Sequence, residues 1–161
     1  MVAPEPPVPG ASGATGDTVA WRSLVAEVEH RLVGGGIDTY RSESRWLLEE
    51  ASGYSFGELV VDEHLRVTVG GMKRLETMVE RRLAGEPIQY VLGHWAFRSL
   101  DLLVDQRVLI PRPETEQVVE VALSALPMRT RPVVVDLGTG SGAIALAIAS
   151  EHPTAEVWAT D

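Results

Sequence analysis

The sequence predicts an α/β protein whose first part is entirely α-helical. Two observations lead to this prediction. Apolar residues recur with helical spacing through the first half of the chain, and near the carboxyl end a β-branched run leads through a glycine turn into a helix and a second strand. The expected order is a flexible tail over 1–16, a small helical bundle over 17–86, a β-hairpin connector over 87–112 and the incomplete first part of a parallel sheet over 113–161.

Composition and charge limit the classes of protein that the chain can represent. Of its 161 residues 45% are hydrophobic, which is enough for a packed core. The formal net charge of -9 argues against broad affinity for nucleic acid, because binding to phosphates requires clustered Lys and Arg. The absence of cysteine excludes a disulfide framework, a thiolate metal site and a cysteine nucleophile, and no metal site is expected. No secretory signal and no run of about 18 apolar residues is found, so we predict a cytoplasmic protein without membrane contact.

The start of the helical bundle is predicted from apolar spacing and capping residues. Residues 1–16 are rich in Pro, Gly, Ala and Ser and have too little apolar bulk to be buried. Asp17 is expected to cap the first helix, and the glycines at 34–36 are expected to end it. Its buried face follows the spacing i, i+3, i+4, i+7 and i+11, with Trp21, Leu24, Val25, Val28 and Leu32.

Three more helices are expected in the bundle. The second begins after Asp38 and ends at Gly53. Ser55 and Glu58 form the capping box of a short third helix. A longer fourth helix ends before Gly85, and the apolar residues on its inner face are Leu75, Met78, Val79 and Leu83.

The chain then changes to patterns typical of strands. Two strands are predicted on either side of a turn near Ser99, with the apolar residues Trp95, Phe97, Leu102 and Val104. An apolar run over 108–110 is halted by Pro111. A further helix begins at about Pro113, since Pro and acidic residues are both favourable in a first helical turn. Its apolar positions are Val118, Val119, Ala122 and Leu126.

The last unit contains the candidate ligand site. The run Val133–Val135 is typical of a strand that is buried on both faces. It leads into the turn Asp-Leu-Gly-Thr-Gly-Ser-Gly at 136–142, in which the glycines permit a sharp bend and the close approach of a ligand. An Ala- and Ile-rich helix over 143–150 and a second strand over 156–160 follow, and Asp161 stands at the tip of that strand.

Two acidic residues indicate which ligand suits this turn. Gly138, Gly140 and Ala143 also satisfy the dinucleotide fingerprint, so a nicotinamide- or flavin-dependent oxidoreductase is an alternative. Asp136 would repel a pyrophosphate, whereas the ammonium and sulfonium of S-adenosylmethionine are cations that a carboxylate favours. Asp161 would accept hydrogen bonds from ribose hydroxyls, which both classes of cofactor possess. The alternative roles are that Asp136 caps the following helix and that Asp161 is a solvated residue at a strand end.

Three motifs carry a resemblance to a known family. A G-x-P-x-Q-Y-x-x-G element lies at Gly85–Gly93, an L-I-P-R-P-E-T-E element at Leu109–Glu116, and a D-L-G-T-G-S-G turn at Asp136–Gly142. In this order they resemble the release-factor glutamine N5-methyltransferases, the HemK/PrmC family. The resemblance extends over residues 18–161, but before Gly85 it lies in the helical character alone.

The resemblance implies an architecture and an activity. The helical domain would recognise the substrate protein, and a hairpin would connect it to a Rossmann-like methyltransferase domain that uses S-adenosylmethionine. The methyl group would be transferred to the side-chain amide nitrogen of a glutamine in a peptide-chain release factor. Asp161 would hold the ribose of the cofactor, and the residues that would line it are Gly138, Thr139, Gly140, Ser141 and Gly142.

The resemblance also bears on residues outside the turn. Arg112, Glu114 and Glu116 would lie near the mouth of the active site, and the other interpretation is an ordinary helix start with first-turn acids. The family's Asn-Pro-Pro-Tyr tetrapeptide, which grips the glutamine amide, is not found up to Asp161. No catalytic residue is therefore assigned, and the chain by itself is expected to be inactive and prone to associate. The remaining alternatives are an amino methyltransferase that acts on nucleic acid or another protein, and a helical domain that only docks a partner.

Overall fold

The computed structural model describes residues 19–127 and 130–161, so the expected tail over 1–16 and its neighbour Asp17 lie outside the described residues. Five helices come first: α1 (Trp21–Gly34), α2 (Tyr40–Ser52), α3 (Phe56–Val61), α4 (Val69–Leu83) and α5 (Ile88–Leu92). The hairpin strands β1 (His94–Phe97) and β2 (Leu100–Leu103) lead to α6 (Thr115–Ala125). The last elements are β3 (Val133–Leu137), α7 (Ala143–Glu151) and β4 (Glu156–Thr160). No helix in these two ranges is long and apolar enough to cross a membrane.

Local capping rules explain where the helices of the bundle begin and end. α2 ends at Gly53, whose φ of 76° is the left-handed conformation that glycine favours at such a position. Ser55 and Glu58 form the predicted capping box at the start of α3. Thr68 plays a similar part at α4, where its side chain accepts a hydrogen bond from the Gly71 N–H. These helix ends follow from short stretches of sequence.

The start of α1 depends on a distant segment instead. The helix begins at Trp21, and the residue at its cap position, Ala20, has no side-chain hydrogen bond. The Trp21 N–H donates to the carbonyl of Leu65 at 3.1 Å, and the Val67 N–H donates to the carbonyl of Val19 at 2.9 Å. The chain between α3 and α4 therefore satisfies the backbone where α1 begins.

One apolar core holds the five helices together, and one predicted core residue lies outside it. Leu83 was expected to face inward but is 38% exposed. Its side chain lies over Gly35 at the end of α1, where a Cβ would collide with the Leu83 Cδ2. The absence of a side chain at Gly35 thus makes room for Leu83 at the surface. The core consists of Trp21, Leu24, Val28, Leu32, Ile37, Leu47, Leu48, Ala51, Leu59, Leu75, Met78, Val79, Ile88 and Val91.

The short helix α5 was not anticipated from the sequence. It occupies five residues between Pro87 and Gly93, whose φ is 83°. Ile88 and Val91 are buried in the core of the bundle. A helix of little more than one turn is too short to show a periodic pattern.

The hairpin and α6 form part of a second core. Phe97, Leu102 and Val104 are buried there together with Val119 of α6 and apolar residues of α7. The antiparallel pairing of β1 with β2 confirms the predicted hairpin. Val118, one of the predicted apolar positions of α6, is 54% exposed. Val119 occupies the core position, and Val118, about 100° away around the helix, lies on the side that faces solvent.

The last unit is a parallel pair of strands joined through α7, in which Val135 lies opposite Trp158. The expectation that β3 is buried on both faces is wrong for the described residues. Val134 packs against the second core, whereas Val133 and Val135, on the other face, are 64% and 56% exposed. α6 and α7 contribute to that core, so the opposite face of β3 is left uncovered. The assignment of this unit to a Rossmann-like sheet stays a prediction.

Candidate functional site: the glycine turn and its surroundings

The turn between β3 and α7 has a backbone that only glycine adopts readily. The φ angles are 75° at Gly138, 53° at Gly140 and 80° at Gly142. In this left-handed region a Cβ costs roughly 1–2 kcal/mol per residue. A Cβ on Gly138 or Gly140 would meet no atom within 4 Å, so the space beside the turn is open. The backbone conformation is thus compatible with the close approach of a ligand.

The amide groups of the turn divide into two sets. The N–H groups of Gly138 and Thr139 both donate to the Thr160 carbonyl, at 2.8 and 3.1 Å, and so fix the turn against the end of β4. In the part of the chain that the structure describes, the N–H groups of Gly140 and Ser141 make no hydrogen bond. These two amides remain available as donors to an acceptor on a ligand.

Asp136 contacts both the turn and the helix that follows it. Its Oδ2 accepts hydrogen bonds from the Thr139 hydroxyl at 2.8 Å and from the Ala145 N–H at 3.2 Å. Ala145 lies in the first turn of α7, so the carboxylate caps that helix, as one of the two interpretations of the sequence expected. Both contacts use Oδ2, and none of the described residues donates to Oδ1. A cofactor role for Asp136 therefore remains a prediction beside the capping role.

Asp161 directly follows the residue whose carbonyl fixes the turn. It is exposed and makes no hydrogen bond or ion pair with residues 19–127 or 130–160. Its place at the tip of β4 is the predicted one, and its contact with a ribose stays a prediction. Within the same ranges, no group of three or more His, Asp or Glu could hold a metal ion.

The three residues proposed for an active-site mouth occupy two different settings. Arg112 and Glu114 are exposed in the turn before α6, where the Thr115 N–H donates to the Arg112 carbonyl at 3.0 Å. Glu116 lies in the first turn of α6, and its Oε1 accepts a hydrogen bond from the backbone N–H of Arg98 at 2.8 Å. Glu116 therefore holds the tip of the hairpin. A position near an active-site mouth is untested for all three.

Arg98, at the tip of the hairpin, is a residue that the sequence analysis did not single out. Its Nη2 donates to Glu120 Oε2 at 3.0 Å and to Glu151 Oε2 at 2.6 Å. Hydrogen bonds to Glu151 and Glu120 raise the pKa of the Arg98 guanidinium above its already high value. The partners stand 22 and 53 positions away in the chain, so no local spacing could have revealed the cluster.

A cleft of about 440 Å³ lies between α2 and the hairpin. Trp46 and Trp95 meet there edge to face, with ring centroids 5.4 Å apart. His94 places Nδ1 2.8 Å from Asp101 Oδ1 and Nε2 3.1 Å from Glu50 Oε2. Partial burial lowers the pKa of His94, but the hydrogen bonds to Asp101 and Glu50 outweigh this effect and the pKa is raised. The helical bundle and the hairpin are thus joined by an ionisable bridge.

Comparison with known proteins relates the helical bundle and the rest of the chain to the same group of proteins. Residues 23–93 match the family described as the PrmC N-terminal domain. The release factor glutamine methyltransferase of Bifidobacterium longum is 40% identical over 144 residues, which is 86% of this chain and 49% of the relative. The protein of the same name from Coxiella burnetii is 46% identical over 123 residues, or 76% of this chain and 44% of the relative. That from Moorella thermoacetica is 42% identical over 142 residues, or 87% and 50%. The chain spans about half the length of the curated relatives it matches.

Proposed function

The chain carries a PrmC N-terminal domain and matches the amino-terminal portion of release factor glutamine methyltransferases, and on this premise we propose that the protein methylates a glutamine of a peptide-chain release factor. The observation that carries the proposal is the match to the Bifidobacterium longum protein, at 40% identity over 144 residues. The activity, the protein substrate and a cytoplasmic location belong to the proposal, because the chain spans only about half of such relatives.

The proposed methyl donor is S-adenosylmethionine, which supplies a cationic methylsulfonium when bound. The open backbone at Gly138 and Gly140 leaves room for a ligand, and two free amides at Gly140 and Ser141 offer hydrogen bonds to it. The Asp136 carboxylate contacts the turn at Thr139, and the exposed Asp161 directly follows Thr160, whose carbonyl binds the turn. Their charge favours a cationic ligand over a pyrophosphate, whose charge they would oppose.

We propose that the parts of the chain built around the two cores have different functions. The helical bundle, predicted over 17–86 and extended in the structure by α5, would recognise the protein substrate. The hairpin within 87–112 would connect it to residues 113–161, which we interpret as the first part of a Rossmann-like methyltransferase sheet. The parallel pairing of β3 with β4 and the glycine turn between them support this interpretation.

The proposed reaction requires the protein to make a weak nucleophile react. The nitrogen of a carboxamide is a weak nucleophile, because its lone pair is delocalised into the carbonyl. An enzyme overcomes this by holding the amide with acceptors on its N–H groups and by aligning the nitrogen with the methyl group. None of the described residues is proposed as such an acceptor. Arg112, Glu114 and Glu116 are proposed for the surroundings of the site only.

Methyl transfer from isotopically labelled S-adenosylmethionine tests the proposal. A full-length methyltransferase that contains this chain is expected to label a release factor, and replacement of the acceptor glutamine by alanine in that factor should abolish the label. DNA and RNA serve as competing substrates, since an amino methyltransferase of another class would label one of them. Equilibrium binding of S-adenosylhomocysteine and of NAD provides a second measurement. Binding of NAD without binding of S-adenosylhomocysteine would refute the proposal.

A further inference from the structure

The hairpin contributes Phe97 and Leu102 to the second core and acts as a strut that joins this core to the helical bundle. Its base is attached to the bundle. β1 begins at His94, directly after the residue that ends α5. Trp95 packs edge to face on Trp46 of α2, and His94 contacts Glu50 of the same helix. The base of the strut is therefore held by an aromatic contact and by an ionisable one.

The tip of the strut is attached to the second core through Arg98. Its φ of 52° turns the chain sharply between β1 and β2. The backbone N–H of Arg98 donates to Glu116 Oε1 at 2.8 Å, and Nη1 donates to the Glu116 carbonyl at 3.3 Å. The guanidinium also binds Glu120, on the same helix as Glu116, and both carboxylate oxygens of Glu151. The Arg98 side chain is 18% exposed, and its partners differ, since Glu151 is 28% exposed and Glu120 is 71% exposed.

The partners of Arg98 place it in contact with the element that carries the glycine turn. Glu151 is the last residue of α7, and the same helix starts at Ala143, directly after the turn. The bidentate pair between Arg98 and Glu151 fixes the far end of that helix, because a planar guanidinium allows one geometry on a carboxylate. Glu116 and Glu120 fix α6 at the same time. One side chain thus ties the strut to both helices of the second core.

We propose that Arg98 is a positioning residue, which sets the orientation of the helical bundle relative to the glycine turn. The inference rests on the proposed function in so far as these two parts would hold the protein substrate and the methyl donor. Arg98 touches neither the turn nor the proposed ligand, so it acts through α7 and the hairpin. The expected result of its loss is a bundle that samples more orientations, while the turn keeps its own conformation.

Distance measurement by electron paramagnetic resonance tests the orientation directly. The chain contains no cysteine, so spin labels can be placed only where cysteines are introduced, at exposed Ala26 of α1 and exposed Ala149 of α7. R98G is the main variant, because glycine tolerates the φ of 52° and removes only the side chain. R98K keeps the charge but lacks the bidentate geometry. The control is R107A, since Arg107 pairs with nearby Asp105 and its side chain is 87% exposed.

The distribution of label distances is expected to broaden at least about twofold in R98G, to broaden less in R98K and to keep its width in R107A. Unchanged circular dichroism in R98G shows that the elements themselves remain folded. A distribution in R98G as narrow as in the parent would overturn the inference. So would equal broadening in R98G and R107A.

Methylation kinetics provide a second measurement that a merely structural role would not reproduce. For R98G, kcat/KM is expected to fall at least about tenfold with an intact release factor, because a small misplacement of a bound substrate is costly. With a short glutamine-containing peptide, which does not engage the bundle, kcat/KM should equal that of the parent. Equal losses on both substrates would contradict the positioning role and leave the proposed function intact. These kinetics are measured on a full-length methyltransferase that contains this chain, and absence of methylation by that parent would refute the proposed function, whatever the distance measurement shows.

Discussion

The Glu43 carboxylate on α2 is bound by the Arg82 guanidinium on α4, although 39 positions separate the two residues. The contacts are Nε to Oε2 at 2.5 Å and Nη2 to Oε1 at 3.2 Å, and Glu43 is 3% exposed. Thr39 donates a further hydrogen bond to Oε1 at 2.7 Å. A nearly buried carboxylate is thus paired inside a small helical bundle, where an unpaired charge would be costly.

Removing Glu43 is expected to destabilise the bundle. E43A leaves the Arg82 guanidinium, which is 20% exposed, without its partner, and should lower the free energy of unfolding by about 2–3 kcal/mol. The matched control is E63A, since Glu63 and Arg22 form a pair whose side chains are 57% and 49% exposed. That variant should change the free energy by less than about 0.5 kcal/mol. Urea denaturation of both variants measures the two changes in the free energy of unfolding. Equal changes in E43A and E63A would contradict the assignment of Glu43 as a buried structural charge.

Two adjacent glycines of α4 are expected to respond in opposite directions to alanine. A Cβ on Gly70 would meet nothing within 4 Å, whereas one on Gly71 would lie 2.8 Å from Cζ2 of the buried Trp21 ring. G70A should therefore stabilise the bundle by up to about 1 kcal/mol through helix propensity. G71A should destabilise it by about 1–3 kcal/mol through overpacking. Thermal denaturation of the two variants provides the test, and a lower melting temperature for G70A than for G71A would contradict the packing of Trp21.

The features that the sequence predicted correctly are governed by short stretches of chain. The capping box of Ser55 and Glu58 needs four residues, and the left-handed end of α2 needs only Gly53. The strand, glycine turn, helix and strand of the last unit follow from patterns within 133–160. In each case the residues that decide the structure are neighbours in sequence.

The features that the sequence did not predict depend on distant partners. α1 is capped by the chain near Leu65, and Arg98 is bound by acids of two later helices. β3 is buried on one face only, and this depends on which elements cover the strand. A β-branched run in the sequence does not indicate how many faces are covered. Asp136 shows the limit most clearly, because the same carboxylate suits both a helix cap and a cationic ligand.

The bridge at His94 is expected to make the attachment of the hairpin depend on pH. Both ring nitrogens face carboxylate oxygens, of Asp101 and Glu50, so both contacts require the protonated ring. Because the pKa of His94 is raised in the folded protein, its stabilisation is complete below the ordinary value near 6.5 and is lost as the pH rises through the raised pKa. The parent should therefore be more stable than H94Q by a larger margin at pH 5.5 than at pH 9. These two values bracket about the interval over which histidine titrates.

Chemical denaturation at the two pH values measures this difference. His30 is exposed on α1, and H30Q serves as the control for a histidine without such partners at the joint. The side chain of His94 is 38% exposed, so the effect should stay below about 1 kcal/mol. A difference between parent and H94Q that is constant over this range, or that grows with pH, would contradict the bridge.

Substitution of Asp136 separates its capping role from the proposed cofactor role. D136N retains an oxygen that can accept from Thr139 and Ala145 but removes the charge, whereas D136A removes both. The free energy of unfolding of D136N should therefore stay within about 0.5 kcal/mol of the parent value, and that of D136A should fall by about 1 kcal/mol because the helix cap is lost.

The binding of the methyl donor tests the second role of Asp136. If the carboxylate also favours the cationic methyl donor, both variants should bind S-adenosylmethionine at least about tenfold more weakly than the parent. D38N alters the net charge equally at an exposed residue before α2, and its affinity should match that of the parent. Calorimetric titration gives the comparison, and an unchanged affinity in D136N would leave Asp136 with the structural role alone.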